Sequence, residues 1–493
     1  MGLQRGVNMA QALKLKNYQK AGARNVLKDF KEGRDACLGW YTGAGKTVVF
    51  QEISKRLIKE NPKIRIGISA YFTKEIRDQI YDRMGLMGLE KKAQLLHKDA
   101  TPDKNKNIFV FNPQAIYRKT LPFKFDVLII DECHYGFSES NLMLNVLKAK
   151  SCKRGARTLL LSATPWDTLA RTLLRKTSLY KRSLEEGLKD DLISDFEICV
   201  EEAQIEFDKK SFTRKGDLSL AAQRKQMSRL KSSCVGKMEN IVKKYGDKLG
   251  KKVLVVCPPG NTGEVAREIA EKFGGLALLE STKMTAFDTK NNLEKFQQEK
   301  DARFLCVVQK CQVGFDMKEL DTVIDLTMTR NIQVLAQRIG RVARKNGRKK
   351  KRFIYVIDKS LGFYVDWVLN TLIEFSLGEY DGWNTQTVKY RPTPKTDYFY
   401  RRRDKVSGVL FSTIVKDLKR LKGVKTTQTI KLVSKAKPKL FRSLDDAIKE
   451  AEKYKDRTTM WRENPALYKW FRLYAKAEMD KIFPLKNKAY ITA

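Results

Sequence analysis

The sequence predicts an α/β protein with two lobes in tandem, each built on a parallel sheet, followed by a basic, mainly helical C-terminal accessory domain. Three observations carry this. Short apolar runs alternate with helix-patterned segments over residues 1–180, and the alternation restarts near Lys251. A glycine-rich loop, Thr42-Gly43-Ala44-Gly45-Lys46-Thr47, follows the first apolar run and precedes an apolar helix pattern. After Ile357 the alternation stops and basic residues accumulate.

In the first lobe (1–180) the strand candidates are 36–40, 64–70, 108–111, 125–130 and 158–162. Each is an uninterrupted apolar run, as expected of strands covered on both faces by crossover helices. Residues 181–250 read as a linker and basic helical insertion, with six Lys/Arg between Gln223 and Lys243. That insertion either touches a substrate or is a solvated helical hairpin. The second lobe (251–358) supplies strand candidates 253–257, 276–279, 304–308, 322–326 and 353–357. In the accessory domain (359–493), helix patterns cover 364–375 and 465–479, and Ser443-Leu444-Asp445-Asp446 resembles a capped helix start.

Charge limits the possible partners. The chain of 493 residues carries 98 Lys+Arg against 57 Asp+Glu, a formal net charge of +41. Residues 345–493 alone hold 35 Lys+Arg against 16 Asp+Glu. An excess this uneven favours a polyanion, bound through phosphate neutralisation and counterion release. The eight cysteines show neither zinc spacing nor a disulfide framework, and His97 and His134 are the two histidines, so free thiols in a reducing cytosol are expected. The first twelve residues lack an apolar signal core, and no run approaches the ~18 apolar residues of a membrane span. The expected setting is cytoplasmic, with no membrane partner.

The glycine-rich loop suits a triphosphate. Gly43 and Gly45 let backbone N–H groups approach phosphate oxygens, Lys46 supplies a point charge, and the Thr47 hydroxyl suits Mg2+. The general pattern wants glycine at position 40, where Trp40 stands. Asp131 and Glu132 follow the apolar run Val127-Leu128-Ile129-Ile130. There, Asp131 suits the metal and Glu132 the positioning and deprotonation of an attacking water. In Gln337-Arg338-Ile339-Gly340-Arg341-Val342-Ala343-Arg344, the three-residue spacing of Arg341 and Arg344 puts both on one helix face. From a second lobe they reach the γ-phosphate when the lobes close.

Together these strings resemble superfamily 2 helicases of the DExH type, the box here reading Asp131-Glu132-Cys133-His134, over residues 14–358. The resemblance implies two RecA-like P-loop lobes, ATP with Mg2+, and translocation along a nucleic-acid strand. It places Lys46, Asp131, Glu132, Gln337, Arg341 and Arg344 in catalysis. Lys16, Tyr18 and Gln19 match the adenine-recognising segment, where the family usually has arginine in place of Lys16. With Thr42, Gly43, Ala44, Gly45 and Thr47, and with Gly314 and Asp316 of motif V, they form the nucleotide-binding set. His134, Ser162, Ala163 and Thr164 are implied to couple hydrolysis to nucleic acid. Thr73 and Gln114, in the segments resembling motifs Ia and Ic, are candidate strand contacts.

The box, the early start of the core and the modest length are similar to phage helicases that remodel branched DNA, and residues 188–196 resemble the linker of repair and restriction motors. In the tail, Trp461, Tyr468, Trp470, Phe471 and Tyr474 interleave with Arg457, Arg462, Lys469, Arg472 and Lys476. The cations suit phosphates, and the rings suit either stacked bases or a small helical core. The leading expectation is a monomeric ATP-dependent helicase or translocase on forked or branched DNA, in replication, recombination or repair, in a bacterial or phage-infected cell. The alternatives are an RNA helicase and a translocating subunit of a restriction or defence complex.

Overall fold

The structure is a computed structural model of the chain. It describes residues 15–70, 74–97, 100–113, 121–133, 147–164, 177–203, 219–258, 263–279, 284–299, 301–308, 320–329, 331–345, 351–358, 409–414, 444–454 and 456–464, with isolated positions between them. The chain divides into two compact units, Met1–Trp383 with Tyr390–Thr429, and Asn384–Lys389 with Ile430–Ala493.

Both α/β lobes lie in the first unit. Lobe 1 runs α1 (Asn17–Lys31), β1 (Asp35–Trp40), α2 (Lys46–Glu60), β2 (Ile66–Ala70), α3 (Lys74–Asp82), β3 (Ala93–Leu96), β4 (Ile108–Phe111), β5 (Phe125–Asp131), β6 (Cys152–Ser162) and β7 (Thr177–Arg182). Ala23, Val26, Leu27 and Phe30 recur at helical spacing on α1, and Val49, Phe50 and Ile53 do so on α2; these stripes bury the two helices. The parallel sheet has the order β3-β4-β2-β5-β6-β1-β7. Strands β5, β6 and β1 are therefore neighbours, and their C-terminal ends share one edge. That edge is where open parallel sheets place ligands.

Lobe 2 contains α4 (Leu184–Lys189), β8 (Glu197–Ala203), α5 (Leu220–Lys225), α6 (Met227–Tyr245), β9 (Val253–Cys257), α7 (Glu264–Lys272), β10 (Leu276–Leu278), α8 (Ala286–Gln298), β11 (Phe304–Val308), β12 (Thr322–Asp325), α9 (Ile332–Val342), β13 (Arg352–Asp358) and, much later, β14 (Val409–Leu410). Here α4 is the connection from lobe 1. Its sheet order is β10-β11-β9-β12-β13-β8-β14, and only the β14–β8 pairing is antiparallel.

All ten strand candidates appear, but each sheet has further strands that change two boundaries. Residues 197–203 and 219–249, which lie within the expected linker and insertion, pack with lobe 2. There β8 pairs with β13, and α6 buries Leu230, Cys234, Met238 and Ile241 in that lobe's core. Strand β8 reads as acidic, yet its Glu201 is held by Lys237 at 2.9 Å, Lys244 at 2.7 Å and the Tyr245 hydroxyl at 2.9 Å. These partners, supplied by α6, offset the cost of burying the carboxylate. They also pull its acidity to lower pH despite burial, which acts the other way.

The accessory boundary moves as well. Val409 pairs with Ile198, Phe411 stacks on Phe196 at 5.1 Å, and Ser412 Oγ donates to Asp195 at 2.5 Å. Burial of Phe411 contributes about 2 kcal/mol, and the charged hydrogen bond about 1.5–3 kcal/mol. A chain cut at 429 is therefore expected to keep the melting temperature of the first unit. One cut at 358 is expected to melt roughly 5 °C lower, as measured by circular dichroism.

Unit 2 contains α10 (Leu444–Ala451) and α11 (Arg457–Glu463) around buried Ala451, Met460 and Leu467. Asp456 caps α11 by accepting from the Thr459 amide at 2.7 Å. Tyr454 and Tyr468 pack on this core, so Tyr468 is a packing residue. The expected helices at 364–375 and over most of 465–479 lie outside the described residues. No described helix is long and apolar enough to cross a membrane.

Candidate functional site

Strand β1 ends at Trp40, and α2 begins at Lys46. The connecting turn needs Gly43 at φ 93° and Gly45 at φ 80°, where an L side chain is strained. The turn aims the N-terminus of α2 at the loop's concavity, an arrangement suited to phosphate. Lys46 Nζ lies across it, donating to the carbonyls of Trp40 at 2.9 Å and Tyr41 at 3.4 Å.

The start of α1 braces this loop. Gln19 Oε1 accepts from the Lys16 amide at 2.9 Å, and Nε2 donates to Ala44 O at 3.2 Å. The Tyr18 hydroxyl donates to the same carbonyl at 2.8 Å. Tyr18 is also pinned edge-on to Trp40, with ring centroids 5.5 Å apart. The Lys16 side chain is exposed.

Two strands away, β5 delivers Asp131 and Glu132. Glu132 takes a left-handed φ of 48°, and its amide donates to Asp131 Oδ1 at 3.0 Å. The Cys133 amide donates to Leu161 O at 2.9 Å, tying this turn to β6. Ser162, Ala163 and Thr164 follow there, all buried, and the Thr164 amide donates to Ser162 Oγ at 2.9 Å. Burial raises the pKa of Asp131, while the Lys46 charge opposes the rise. Glu132 is pushed up to about 7, first by burial and then by the Asp131 charge, against Lys46 and Arg341. Its residue surface is partly exposed, but its Oε2 is fully covered.

Lobe 2 completes the site through α9. Leu335, Ile339 and Val342 form its apolar stripe, while Gln337, Arg338 and Arg341 are buried too. Polar residues survive burial when partnered: Arg338 forms an ion pair with Asp325 and a 2.6 Å hydrogen bond to Thr327 Oγ1. That pairing anchors the helix so that Gly340 lies against the phosphate loop. A Cβ added at Gly340 would sit 2.5 Å from Thr42 Cβ, and one at Gly43 would sit 3.5 Å from Arg344 Cγ. The Arg341 charge acts on Glu132. The chain leaving lobe 1 fastens the last arginine, with Ile193 bridging Arg344 and the Ser194 amide donating to Ala343 O at 2.8 Å.

Thus Lys16, Tyr18, Gln19, Thr42–Thr47, Asp131, Glu132, Ser162–Thr164, Gln337, Arg341 and Arg344 all fall on described elements or on the turns that join them around the phosphate loop. His134, Thr73, Gln114, Gly314, Asp316, Lys469, Arg472 and the side chain of Arg462 lie outside the described residues. Arg457 sits half-buried on α11 in the other unit. Sequence reasoning missed Arg182, whose guanidinium carbon is 3.9 Å from the Tyr18 ring centroid. It also missed the Arg338–Asp325 anchor. The arginine–aspartate pair had a signal, a polar residue on the inward face of an amphipathic helix; Arg182 had none.

Known proteins can be set beside this geometry. Residues 12–167 match the family model of the type III restriction enzyme res subunit, and residues 236–346 match the helicase conserved C-terminal domain. No curated protein matches significantly. Among solved structures, the DEAD-box helicase Mss116 bound to ssRNA and UDP-BeF is 15% identical, with a TM-score of 0.52 over 95% of this chain and 85% of its own. The type ISP restriction-modification enzyme LlaBIII bound to DNA is 16% identical, with a TM-score of 0.52 over 75% of this chain and 30% of its own. Dbp5 of S. cerevisiae, bound to RNA and ADP BeF3, is 14% identical, with a TM-score of 0.50 over 81% of this chain and 98% of its own. At these identities the likeness is one of fold: two RecA-like lobes. One family model matches the first lobe and the other the second, and together these two domains indicate a superfamily 2 helicase.

Proposed function

We propose that this chain is a DECH-type, ATP-driven motor that acts as a monomer on forked or branched DNA, in replication, recombination or repair, in the cytoplasm of a bacterial or phage-infected cell. The observation that carries the reading is the seating of Gly340 and Arg344 on the phosphate loop, with the Arg341 charge acting on Glu132. Hydrolysis is then complete only when lobe 2 closes on lobe 1, and a motor needs that condition to turn chemistry into movement.

Lys46 leaves its two carbonyls to bind the β- and γ-phosphates, while the loop amides hold their oxygens. Glu132 orients the attacking water and takes its proton. Arg341 and Arg344 stabilise charge on the transferring phosphoryl group, and Gln337 positions the reactants beside them. Gln19 and Tyr18 fix the loop on the base side. The donor set fits a hard cation, since the desolvated, half-buried Asp131 carboxyl is only partly offset by Lys46 and a hydroxyl oxygen stands at Thr47. Thr47 and Asp131 would hold Mg2+, which when bound supplies charge neutralisation to the phosphate oxygens. Ser162–Thr164, linked to the Glu132 turn through the Cys133–Leu161 bond, couple the site to the strand, with His134. Gly314 and Asp316 complete the nucleotide set from lobe 2, and Thr73 and Gln114 contact the strand. Unit 2, with Arg457, Arg462, Lys469 and Arg472, is the accessory grip.

One thing favours DNA over RNA, the match of lobe 1 to a restriction-enzyme res subunit; the charge of +41 favours a polyanion of either kind. The same match favours a second reading, a translocating subunit that works with a separate nuclease. The test is ATPase rate at matched salt with no nucleic acid, single-stranded DNA, duplex, forked and four-way DNA, and structured RNA. Strongest stimulation by forked or four-way DNA is expected. Preference for plain duplex would favour the restriction-type translocase, and preference for RNA would overturn the DNA reading.

A further inference from the structure

The segments that lead into β3, β4, β2, β5 and β6 meet at the sheet edge opposite the phosphate loop, because these strands run parallel in that order. Strand β5 has seven residues, which puts that edge roughly 20 Å from the carboxylates at its other end. The five segments, 61–65, 90–92, 101–107, 121–126 and 147–157, hold twelve Lys/Arg against three Asp/Glu. They also touch one another. Lys106 Nζ donates to Lys91 O at 2.9 Å, Arg65 Nη1 to Lys106 O at 2.7 Å, and the Arg65 amide to Asp126 at 2.8 Å. Lys124 Nζ in turn donates to Ala149 O at 3.3 Å. The result is one continuous basic row across five strands.

Carboxylates are scarce along it. Arg65, Lys106 and Lys124 direct their donors to backbone carbonyls, while Asp126 holds Lys153 at 2.6 Å and Asp35 of β1 holds Lys148 at 3.3 Å. The side chains of Lys63, Lys91, Lys92, Lys104 and Arg154 are exposed and pair with no described carboxylate. At Arg154 the chain leaves the sheet. Phe125 pairs with Cys152 but Val127 with Arg157, so residues 153–156 bulge from the edge, turned by Gly155 at φ 81° with open space beside it. A basic bulge of this kind adds nothing to the core, and cations set side by side repel one another until a polyanion neutralises them.

We propose that this edge of lobe 1, remote from the ATP cleft, is a further nucleic-acid surface that grips the phosphate backbone of duplex DNA. Five strands about 4.8 Å apart span roughly 19 Å, the axial length of about five or six base pairs. Ammonium groups in a row neutralise phosphates without reading bases, so the grip is independent of sequence. Single-strand sites add rings on which bases stack. The ring at this edge, Phe123, is instead packed on Phe109 with centroids 4.6 Å apart and lies beneath the Arg65 guanidinium. Lobe 1 then holds the unopened arm of a fork on one edge while the opposite edge serves hydrolysis.

The inference rests on the DNA-motor reading, and the test separates the two. Full-length protein is compared with an edge variant carrying Lys63→Gln, Lys91→Gln, Lys92→Gln, Lys104→Gln and Arg154→Gln. A control loses the same charge from exposed positions of lobe 2, through Arg224→Gln, Lys225→Gln, Lys243→Gln, Lys248→Gln and Lys251→Gln. Fluorescence anisotropy gives the affinity of each for blunt duplex DNA and for single-stranded DNA over a salt series. The edge variant is expected to bind duplex at least about 10-fold more weakly at low salt, and to flatten the slope of log K against log salt by about 4. Its single-strand affinity and its ATP turnover without nucleic acid are expected to stay near those of the parent. Unchanged duplex binding and slope would overturn the inference, as would an equal loss on single strands or an equal loss in the control. Parent protein that bound single strands and not duplex would overturn this surface alone. Parent protein that bound neither would remove the DNA-motor reading with it.

Discussion

Glu132→Gln is expected to lower kcat for ATP hydrolysis by roughly a thousandfold while ATP still binds. The substitution keeps the size and the hydrogen-bonding plane of the side chain and removes only the basic oxygen. In the parent protein, the carboxyl sits near pKa 7 because burial and the neighbouring Asp131 charge both disfavour its ionised form. As a base it must be ionised, so kcat/KM is expected to climb with pH through an ionisation near 7, and the Gln variant should lose that limb. The same shift bears on stability. Between the ordinary carboxylate range and pH 7, the folded protein holds a proton that the unfolded chain has released. Stability therefore falls as pH rises through that window, by up to about 3 kcal/mol above it. Glu132→Gln should then raise the melting temperature at pH 8 and change it little at pH 4. Equal shifts at both pH values would show that Glu132 is not held in the unfavourable environment described, and unchanged turnover would remove it from the chemistry.

Arg341→Ala is expected to cost between about 10³- and 10⁵-fold in kcat with nucleotide affinity nearly unaltered. Arg341 lies on lobe 2, while the loop and Lys46 belong to lobe 1, so ATP has most of its binding groups without it. Its charge also lowers the pKa of Glu132. Its removal should therefore move the ionisation in kcat/KM to higher pH. Fluorescent-nucleotide titration together with the pH profile checks both parts. Loss of ATP binding in proportion to kcat would mean that Arg341 holds the ground state and is no transition-state group.

Much of this site is legible in the order of residues because its geometry is local. Gly43 and Gly45 take their positive φ values within one turn, between a strand and a helix that their own residues specify. The apolar run before Asp131 identifies an interior strand, and the strand's end places the carboxylates. Edge strands do not announce themselves in this way. Strand β7, Thr-Ser-Leu-Tyr-Lys-Arg, is half-exposed along its length, so no apolar run marks it, and Arg182 was invisible with it. Strand β8 hides behind Glu201, which is acceptable inside only because α6 brings two lysines and a tyrosine to it. Strand β14 is two residues long and joins its sheet from far along the chain.

The sequence alone determined the chemistry available: a phosphate loop, two adjacent carboxylates and a pair of arginines, each encoded by a short string whose backbone shape depends on its immediate neighbours. Tertiary structure decided which of these meet. Strand order brought β5, β6 and β1 side by side, and the buried Arg338–Asp325 pair turned α9 so that Gly340 could rest on Thr42. Such contacts join residues from opposite parts of the chain and depend on packing and desolvation. Those are properties of the assembled core, and no local pattern of residues contains them.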